Sequence, residues 1–344
     1  MRLLISGGGT GGHLMPALAV AQAFRAEEPE GAVLLVGKAG GPEERLVPKA
    51  GFELETIRIQ GLNRDAPLKN LALPAVLPAA MRRGGAIVEA FRPDVVLGVG
   101  GYASVPALWA ARRRGIPYVL HEQNVQPGLA TRMFATGAAA VCVTFPGTRV
   151  KAVRTAVTGL PLREGFSRRT PRVPVQTLLV TGGSQGARRI NEAVWSVLDG
   201  LLRRFPEVIH LTGRQGAADA TRLARPGYRP YEFNSDVAGL LREADLVVSR
   251  AGVSTLAEIT AVGLPSILVP GSFGGGHQEA NARSLVESGA AVMILDRELT
   301  GERLLAEVDA LDEGRLRALA EGSARLGRQD AAQQVLGFVR EAVR

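Results

Sequence analysis

Cysteine and membrane-spanning segments are the first things that the 344-residue sequence lacks. Its one cysteine, Cys142, lies in the apolar run AVCVTF, so internal disulfides are excluded and we expect a buried thiol in a strand. The longest uncharged stretch, 95–111, contains Gly-Gly and Pro and is shorter than the roughly 20 apolar residues of a membrane-spanning helix. The chain opens MRLLISGGG, without a long apolar leader or an Arg-rich transit segment. We therefore expect it to remain in the cytoplasm.

Several metal and nucleotide motifs are missing as well. The sequence has no H-x-x-x-H, no paired cysteines and no D-x-D of the kind that holds a metal–diphosphate complex. We therefore expect no metal and no cofactor, and a leaving group neutralised by amides and arginine. Neither glycine-rich loop ends in Gly-Lys-Ser or Gly-Lys-Thr, which excludes a nucleoside-triphosphatase loop.

The positive charge is concentrated in the first half of the chain. Residues 1–160 carry 18 Lys and Arg against 11 Asp and Glu, whereas residues 161–344 carry 23 against 22. A basic half suits an anionic lipid surface or a pyrophosphate. Because no aromatic-rich strand or recognition helix accompanies the charge, we expect no nucleic-acid partner.

The length and the repeated pattern of strands predict two domains. A chain of 344 residues, 46% apolar, exceeds the size at which a single core stops growing. Each half opens with an apolar strand, a glycine-rich turn and a helix, in LLISGGGTGGH and LLVTGGSQGAR. Further apolar strands alternate with helical patterns: VLLVG, DVVLGVG, IPYVL and AVCVTF, then VIHLTG, ADLVVSRAG and LPSILVP. The fold class is therefore α/β, with two doubly wound Rossmann-like domains facing across a cleft.

The domain boundary is predicted from composition. The segment 158–176 is rich in Pro and Arg and has no periodicity, which is typical of a linker. We expect a first domain over residues 1–160 and a second over 161–329. The C-terminal helix, 330–344, can pack on either domain, and in the first case the chain returns to the domain in which it began. Ligands of open parallel sheets bind outside the carboxyl ends of the strands. The active site is therefore expected where the two sets of glycine loops face each other.

The first glycine loop is open to several interpretations. Gly7, Gly9 and Gly12 have the G-x-G-x-x-G spacing, which by itself suggests a dinucleotide oxidoreductase. The next strand ends in Gly-Lys instead of the acidic residue that binds a ribose, and this disfavours NAD. Glycines still let backbone amides approach a phosphate or an oxyanion at a helix N-terminus. His13 is either a hydrogen-bonded neighbour of that helix start or a base for a sugar hydroxyl.

Other polar candidates follow the later strands. Loop 182–186 offers amides and one hydroxyl to a diphosphate held as a leaving group. Glu258 is either a ribose ligand or an ordinary carboxylate favoured by the helix dipole. At a further helix start, His277, Gln278 and Asn281 suit either sugar hydroxyls or helix capping. In the first half the candidates are Tyr102, His121, Glu122 and Asn124.

Taken in order, six segments resemble the MurG family over almost the whole chain: GGGTGGHLMPALAVA, PDVVLGVGGYASVP, GIPYVLHEQNVQPG, TGGSQGARRIN, SRAGVSTLAEITAVGLPSILVP and HQEANA. Members of that family are N-acetylglucosaminyltransferases of peptidoglycan synthesis with the GT-B architecture. The resemblance implies an inverting transfer of N-acetylglucosamine from UDP-N-acetylglucosamine to the 4-hydroxyl of N-acetylmuramic acid in lipid I. Lipid I is the undecaprenyl-pyrophosphoryl-N-acetylmuramyl pentapeptide, and the product is lipid II. The resemblance also implies that the transfer needs no metal.

The resemblance also assigns residues to roles. The catalytic candidates are His13 and Asn124. Acceptor or phosphate contacts fall on Thr10, Gly11, Gly12 and Tyr102. Donor contacts fall on Arg163, Ser184, Asn234, Val253, Ser254, Thr255, Glu258 and Gln278. In this assignment Glu258 becomes the ribose ligand.

Peripheral attachment to the cytoplasmic side of the cell membrane is implied too. The membrane-patch candidates lie in one segment and combine apolar with basic side chains: Leu68, Leu71, Leu73, Val76, Leu77, Met81, Arg82 and Arg83. Each cation near an anionic surface contributes about 1 kcal/mol. The alternative is a core-facing helix, which Pro74 and Pro78 disfavour because an interior proline costs about 3 kcal/mol.

Two other functions fit parts of the pattern. A UDP-sugar 2-epimerase shares the two-domain architecture and the nucleotide site, and it predicts conversion of UDP-N-acetylglucosamine without any lipid. A non-catalytic module that binds nucleotide as a signal predicts vesicle binding through segment 68–83 without sugar transfer.

Overall fold

A computed structural model of the chain describes residues 1–9, 11–61, 73–183, 185–272 and 276–344, with the backbone alone for 73–75. The chain forms two compact units, the first comprising residues 1–163 and 330–344 and the second residues 164–329. The division between Arg163 and Glu164 falls inside the segment that the sequence predicts to be the linker.

The first unit is built from alternating strands and helices. Its elements are β1 (Arg2–Ser6), α1 (Gly11–Glu27), β2 (Ala32–Lys38), α2 (Glu43–Lys49), β3 (Glu53–Ile57), α3 (Leu73–Phe91), β4 (Val95–Gly98), α4 (Val105–Arg113), β5 (Tyr118–Glu122), α5 (Leu129–Phe134), β6 (Ala140–Val143), β7 (Thr155–Val157) and the C-terminal α14 (Ala331–Glu341).

The second unit repeats the alternation. Its elements are β8 (Thr177–Thr181), α6 (Arg188–Ser196), α7 (Leu198–Arg204), β9 (Glu207–Leu211), α8 (Ala217–Arg222), β10 (Tyr228–Tyr231), α9 (Val237–Glu243), β11 (Leu246–Ser249), α10 (Val253–Val262), β12 (Ser266–Leu268), α11 (His277–Glu287), β13 (Ala291–Met293), α12 (Gly301–Asp309) and α13 (Glu313–Leu326).

Among the described residues each unit has one parallel sheet, and the first six strands of the two sheets have the same order. The order is β3-β2-β1-β4-β5-β6-β7 in the first unit and β10-β9-β8-β11-β12-β13 in the second. Counted within its own unit, each sheet begins 3-2-1-4-5-6, the order of a doubly wound Rossmann fold. The predicted fold of two Rossmann-like domains is confirmed.

The interior strands are buried because they carry almost no polar side chains. Strands β4, β6 and β8 are buried at every residue, as expected for parallel strands covered by helices on both faces. Cys142 lies in β6 and is 0% exposed, as predicted. Burial raises the pKa of its thiol to about 12, so the thiol stays protonated.

The C-terminal helix α14 packs on the first unit. Val335, Leu336 and Val339 are 0% exposed and join the same core cluster as side chains of α1 and β1. Arg340 adds ion pairs to Glu27 and Glu28, with N–O distances of 2.7 and 3.0 Å. The sequence alone left the position of this helix undecided.

A buried carboxylate anchors the start of the second unit. Asp245 is 0% exposed and accepts hydrogen bonds from Arg169, from Arg172 and from the backbone amides of Gln176 and Thr177. Burial by itself would raise the pKa of Asp245, but these hydrogen bonds outweigh it and hold that pKa below its usual value. The carboxylate therefore stays charged and holds segment 169–177 against the sheet.

The expectation that Pro74 and Pro78 disfavour a core-facing helix is wrong. Segment 73–91 forms α3, with Pro74 in its first turn and Pro78 inside it. The first four N–H groups of a helix have no intrahelical acceptor, so Pro74 removes no bond. Pro78 removes one hydrogen bond of the helix, and its ring is exposed. No helix among the described residues is long and apolar enough to span a bilayer.

Candidate active site

The glycine-rich loops lie where each sheet reverses its strand order. In the first unit the reversal falls between β1 and β4, which are followed by loops at Gly7 and Gly100. In the second unit it falls between β8 and β11, which are followed by loops at Gly182 and Arg250. Ligands of open α/β sheets bind at such reversals. Both units therefore carry a candidate binding site at the predicted edge.

A buried carboxylate supports the first glycine loop. Glu43 is 1% exposed, and its Oε1 accepts a hydrogen bond from the amide of Gly9. The side chain fits only because its neighbours lack side chains: a Cβ on Gly37 would lie 2.8 Å from its Cγ. The Gly9 amide is thus already engaged by the protein. Sequence reasoning missed Glu43, which comes from a helix start 34 residues further on.

Tyr102 lies beside the same loop. A Cβ on Gly9 would lie 3.2 Å from the Tyr102 hydroxyl. Gly11 is exposed and Gly12 half-buried at the start of α1, so both are accessible to a ligand. Thr10 lies outside the described residues. The structure therefore brings three of the four acceptor candidates together at one helix start.

His13 is the third residue of α1 and packs against the glycine loop after β4. A Cβ on Gly100 would lie 3.3 Å from the Nδ1 atom of His13, so glycine at this position leaves room for the ring. Nδ1 lies 2.9 Å from Oε1 of Gln123. The side chain is half-buried. Burial lowers the pKa of His13 below 6.5, and the nearby charge of Glu122 opposes this effect in part. A neutral imidazole at physiological pH can accept a proton.

The loop that carries Asn124 is organised by Glu122. This carboxylate is 2% exposed and accepts hydrogen bonds from the amides of Asn124 and Gly128, at 3.0 and 2.9 Å, and from the Thr131 hydroxyl. Asn124 is half-buried, whereas His121 is 1% exposed and bonds to the carbonyl of Gly159. Of the polar candidates of this segment, Asn124 is accessible, and His121 and Glu122 are interior groups.

The second glycine loop leaves open space on one side. A Cβ on Gly183 would meet no atom of the described residues within 4 Å, whereas the space beside Gly213, after β9, is filled by Gly186. The amide of Gly183 donates to the Thr181 hydroxyl at 3.1 Å. Ser184 lies outside the described residues. The open side of Gly183 is a place where a phosphate can approach the backbone.

The helix α10 presents one accessible face to this edge of the sheet. Val253, Ser254 and Thr255 form its first turn and are half-buried, as is Glu258, while the remaining residues of the helix are buried. Glu258 is the sixth residue, three and four positions after Thr255 and Ser254, so the three side chains share a face. Because the dipole effect falls off within the first turn, it does not account for a carboxylate here.

The remaining donor candidates follow β10, β12 and β7. Gln278 accepts a hydrogen bond from the Gly271 amide at 2.9 Å, which leaves its NH₂ group as the part that can donate to a ligand. The side chain of Asn234 accepts from the Asp236 amide at 2.7 Å and shapes its own turn. Asn281 is 1% exposed. Arg163 is exposed and is the last residue before the division between the units.

The membrane-patch candidates are only partly described. Leu68 and Leu71 lie outside the described residues, as does the side chain of Leu73. Val76 and Met81 are half-buried, and Leu77, Arg82 and Arg83 are exposed on α3. Arg83 pairs with Glu55. The opposite side of α3, with Ala80, Ile87 and Val88, is buried in the core, so the helix is both core-facing and exposed.

Two grooves beside α3 and α4 combine the predicted Met81 and Arg82 with residues that sequence reasoning missed. Their side chains are apolar and basic apart from one glutamate, and we call them together the Trp109 surface: Pro78, Met81, Arg82, Glu89, Trp109, Arg112, Arg113, Arg114 and Met133. The guanidinium of Arg113 lies 4.9 Å from the centre of the Trp109 ring. Met133 is 51% exposed. The Arg-Arg-Arg run after an apolar helix was the available sequence signal.

Two family models match the chain. The glycosyltransferase family 28 N-terminal domain matches residues 3–143, and the C-terminal domain of that family matches residues 177–335. A relative from Desulforudis audaxviator is 42% identical, with 98% of each chain covered, and one from Moorella thermoacetica is 41% identical, covering 100% of this chain and 99% of that one. Both are named UDP-N-acetylglucosamine–N-acetylmuramyl-(pentapeptide) pyrophosphoryl-undecaprenol N-acetylglucosamine transferase. The chain belongs to this family, the MurG family.

Solved structures agree with this assignment. The crystal structure of MurG from Acinetobacter baumannii superposes with a TM-score of 0.80 at 28% identity, covering 99% of each chain. The MurG resemblance predicted from the motifs is thus confirmed, and the protein is a glycosyltransferase. A putative UDP-N-acetylglucosamine 2-epimerase from Listeria monocytogenes superposes with a TM-score of 0.69 at 15% identity over 99% of this chain and 95% of that one, and shares the fold alone.

Proposed function

We propose that the chain transfers N-acetylglucosamine from UDP-N-acetylglucosamine to the 4-hydroxyl of N-acetylmuramic acid in lipid I and so forms lipid II for peptidoglycan biosynthesis. Relatives that align over the full length are named for this transfer. The observation in this chain that carries the proposal is a pair of equivalent loops at the strand reversals. One lies beside the imidazole of His13, and the other beside the half-buried face of α10 with Glu258.

The second unit binds the donor in this proposal. The amides of loop 182–186 and the positive end of α10 hold the diphosphate, since backbone N–H groups at helix starts favour anions. Glu258 accepts hydrogen bonds from the ribose hydroxyls, and Gln278 donates to the sugar. Arg163 and Ser184 contribute further diphosphate contacts, and the backbone near Asn234 contacts the base. The diphosphate is stabilised as a leaving group without a metal.

The first unit binds the acceptor. Tyr102, Gly11 and Gly12 surround the diphosphate or hydroxyl groups of lipid I, and Asn124 orients the transferred sugar. Neutral His13 removes the proton of the 4-hydroxyl as its oxygen bonds to the anomeric carbon from the face opposite UDP. The bond between the anomeric carbon and the diphosphate breaks at the same time, so the configuration inverts. Preorganised donors around the departing diphosphate supply the electrostatic stabilisation that usually dominates.

Transfer of labelled sugar tests this function. The protein is incubated with radiolabelled UDP-N-acetylglucosamine and a lipid I analogue, with the acceptor omitted as the control, in the presence of EDTA. We expect label in the lipid product when acceptor is present, and unchanged donor when it is absent. Formation of UDP-N-acetylmannosamine without acceptor would identify an epimerase instead. Nucleotide binding with no labelled lipid would identify a non-catalytic module, and loss of transfer in EDTA would contradict metal independence.

We further propose that the first unit docks on an anionic membrane surface from the cytoplasmic side through the Trp109 surface. Arg114 pairs with Glu89 at 3.2 Å, and the other three arginines of the surface suit acidic headgroups, each contributing about 1 kcal/mol near the surface. The exposed side chain of Met133 suits the acyl boundary. Replacement of Met133 by Glu is expected to weaken sedimentation with phosphatidylglycerol vesicles about 10-fold, since a buried apolar side chain contributes about 1.5–3 kcal/mol. Val153→Glu, at a position 84% exposed elsewhere on the unit, is the matched control. Equal loss in both variants would contradict this surface.

A further inference from the structure

The amide of Gln123 connects His13 to two interior groups of the first unit. Its Nε2 lies 2.6 Å from the carbonyl oxygen of Val99 and 3.4 Å from Nδ1 of His121. Its Oε1 lies 2.9 Å from Nδ1 of His13. Gln123 itself is 1% exposed. A fully enclosed side-chain amide of this kind has fixed donor and acceptor directions, which can be read from its partners.

The proton positions along this chain follow from groups that can only accept. The carbonyl of Gly159 lies 2.9 Å from Nε2 of His121, so that nitrogen carries the proton. Burial lowers the pKa of His121, so its ring is neutral and Nδ1 is a bare acceptor. The carbonyl of Val99 is likewise an acceptor. Nδ1 of His121 and the carbonyl of Val99 therefore both face the NH₂ group of Gln123. A flipped amide would set the Gln123 oxygen 2.6 Å from the Val99 oxygen.

The orientation of Gln123 determines the tautomer of His13. Since Oε1 of Gln123 can only accept, Nδ1 of His13 must donate to it, both in the neutral ring and in the imidazolium. In the neutral ring the lone pair is then on Nε2. Nε2 is then the ring nitrogen that can accept a proton from a ligand.

We propose that Gln123 is a positioning residue, oriented by Val99 and His121, that keeps neutral His13 protonated on Nδ1 so that Nε2 receives the proton of the acceptor hydroxyl. This inference rests on the proposed role of His13 as the base. In the step itself the hydroxyl proton moves to Nε2, the hydroxyl oxygen bonds to the anomeric carbon, and the electron pair of the breaking bond leaves with UDP. The imidazolium keeps its bond to Gln123 and later releases the Nε2 proton to solvent.

The tautomer can be observed directly, without an activity measurement. The chain has four histidines, so ring ¹⁵N spectra of ¹⁵N-histidine-labelled protein at pH 8 are assigned by comparison with His13→Ala. We expect the wild-type His13 ring to show a protonated Nδ1 and a bare Nε2. In Gln123→Leu we expect a mixture of the two neutral tautomers. A wild-type ring protonated on Nε2, or an unchanged tautomer in Gln123→Leu, would overturn the proposal, whether or not the chain transfers sugar.

Kinetics separate positioning from a structural role. Gln123→Leu is expected to lower kcat about 10- to 100-fold, less than complete removal of a general base, because the ring still samples the competent tautomer. The KM for UDP-N-acetylglucosamine is expected to stay unchanged. His13→Ala combined with Gln123→Leu is expected to be no slower than His13→Ala alone, since Gln123 acts through His13. An additive loss would indicate a structural role. Gln333→Leu, on the exposed side of α14, is the matched control.

The pH profile gives a readout that differs between two variants. The hydrogen bond that Nδ1 of His13 donates to Gln123 favours the charged form of His13, so its removal in Gln123→Leu is expected to move the acid limb of kcat/KM to lower pH. Gln123→Glu keeps an oxygen for Nδ1, and its second oxygen, which faces the carbonyl of Val99, is expected to hold a proton, so the limb is expected not to move to lower pH. A shift to lower pH of the same size in both variants would contradict the proposal. The ring spectrum of the wild type tests the proposal by itself if Gln123→Leu does not fold.

Discussion

Replacement of His13 by alanine is expected to lower the kcat of sugar transfer by about 10²- to 10⁴-fold, the usual contribution of a general base. The residue lies in the first unit, and burial keeps its ring neutral at physiological pH. The proposed donor contacts of α10 and α11 belong to the second unit. Titration calorimetry with UDP is therefore expected to give the wild-type affinity. A catalytic loss with unchanged nucleotide binding corresponds to an interaction made in the transition state.

The pH dependence of the wild type has a defined sign. A base acts in its unprotonated form, so kcat/KM is expected to fall as the pH drops through the pKa of His13 in the free enzyme. Because burial lowers that pKa, the acid limb should lie below pH 6.5. His13→Gln, which keeps a hydrogen-bonding side chain but cannot take the proton, is the control for lost packing. Near-normal turnover in either His13 variant would place the base elsewhere, with Asn124 then the residue to examine as a water-positioning group.

Replacement of Leu336 by alanine is expected to lower the free energy of unfolding of the first unit by about 2–5 kcal/mol. Leu336 is 0% exposed and belongs to a core cluster shared with α1 and the first sheet. The cavity left by the missing methyl groups adds to the lost burial. The second unit contains none of this cluster, so its own unfolding transition is expected to stay in place.

Urea unfolding followed by circular dichroism, with and without UDP, measures this effect. A ligand that binds one folded unit raises the stability of that unit, so the transition that shifts with UDP identifies the second unit. Leu129→Ala makes the same change at a position 53% exposed in the first unit and is expected to cost less than about 0.5 kcal/mol. A loss confined to the UDP-sensitive transition would contradict the packing of α14 on the first unit.

Whether the sequence predicts a strand depends on the position of that strand in its sheet. In the part of the chain that the structure describes, all nine interior strands correspond to segments predicted from the sequence, whereas the four edge strands β3, β7, β10 and β13 do not. Interior parallel strands are covered on both faces and are recognisable as uninterrupted apolar runs. The edge strands are partly exposed: two of the three residues of β7 are exposed, and three of the four residues of β10 are half-buried. Their composition resembles that of the loops around them.

The residues of the candidate site likewise divide into those that local sequence patterns indicate and those that only the structure shows. The glycine loops, His13, Tyr102 and Glu258 were recognisable because glycine spacing, a polar residue at a helix start and the family motifs are local features. Glu43 and Gln123 were not. Glu43 reaches the Gly9 amide from 34 residues away, and Gln123 reaches His13 across 110 residues. A glutamine and a glutamate are common residues, and their partners are known only when separate strands and helices are packed together.

The sequence by itself determined the fold class, the two repeated halves and the reaction family, because apolar runs, glycine turns and motif order are written in consecutive residues. The tertiary structure decided which groups support the reacting residues, which unit holds α14 and which arginines share a surface with Trp109. These depend on contacts between residues far apart in the chain. Local patterns do not encode such contacts, since burial and hydrogen-bond direction arise only when the elements pack.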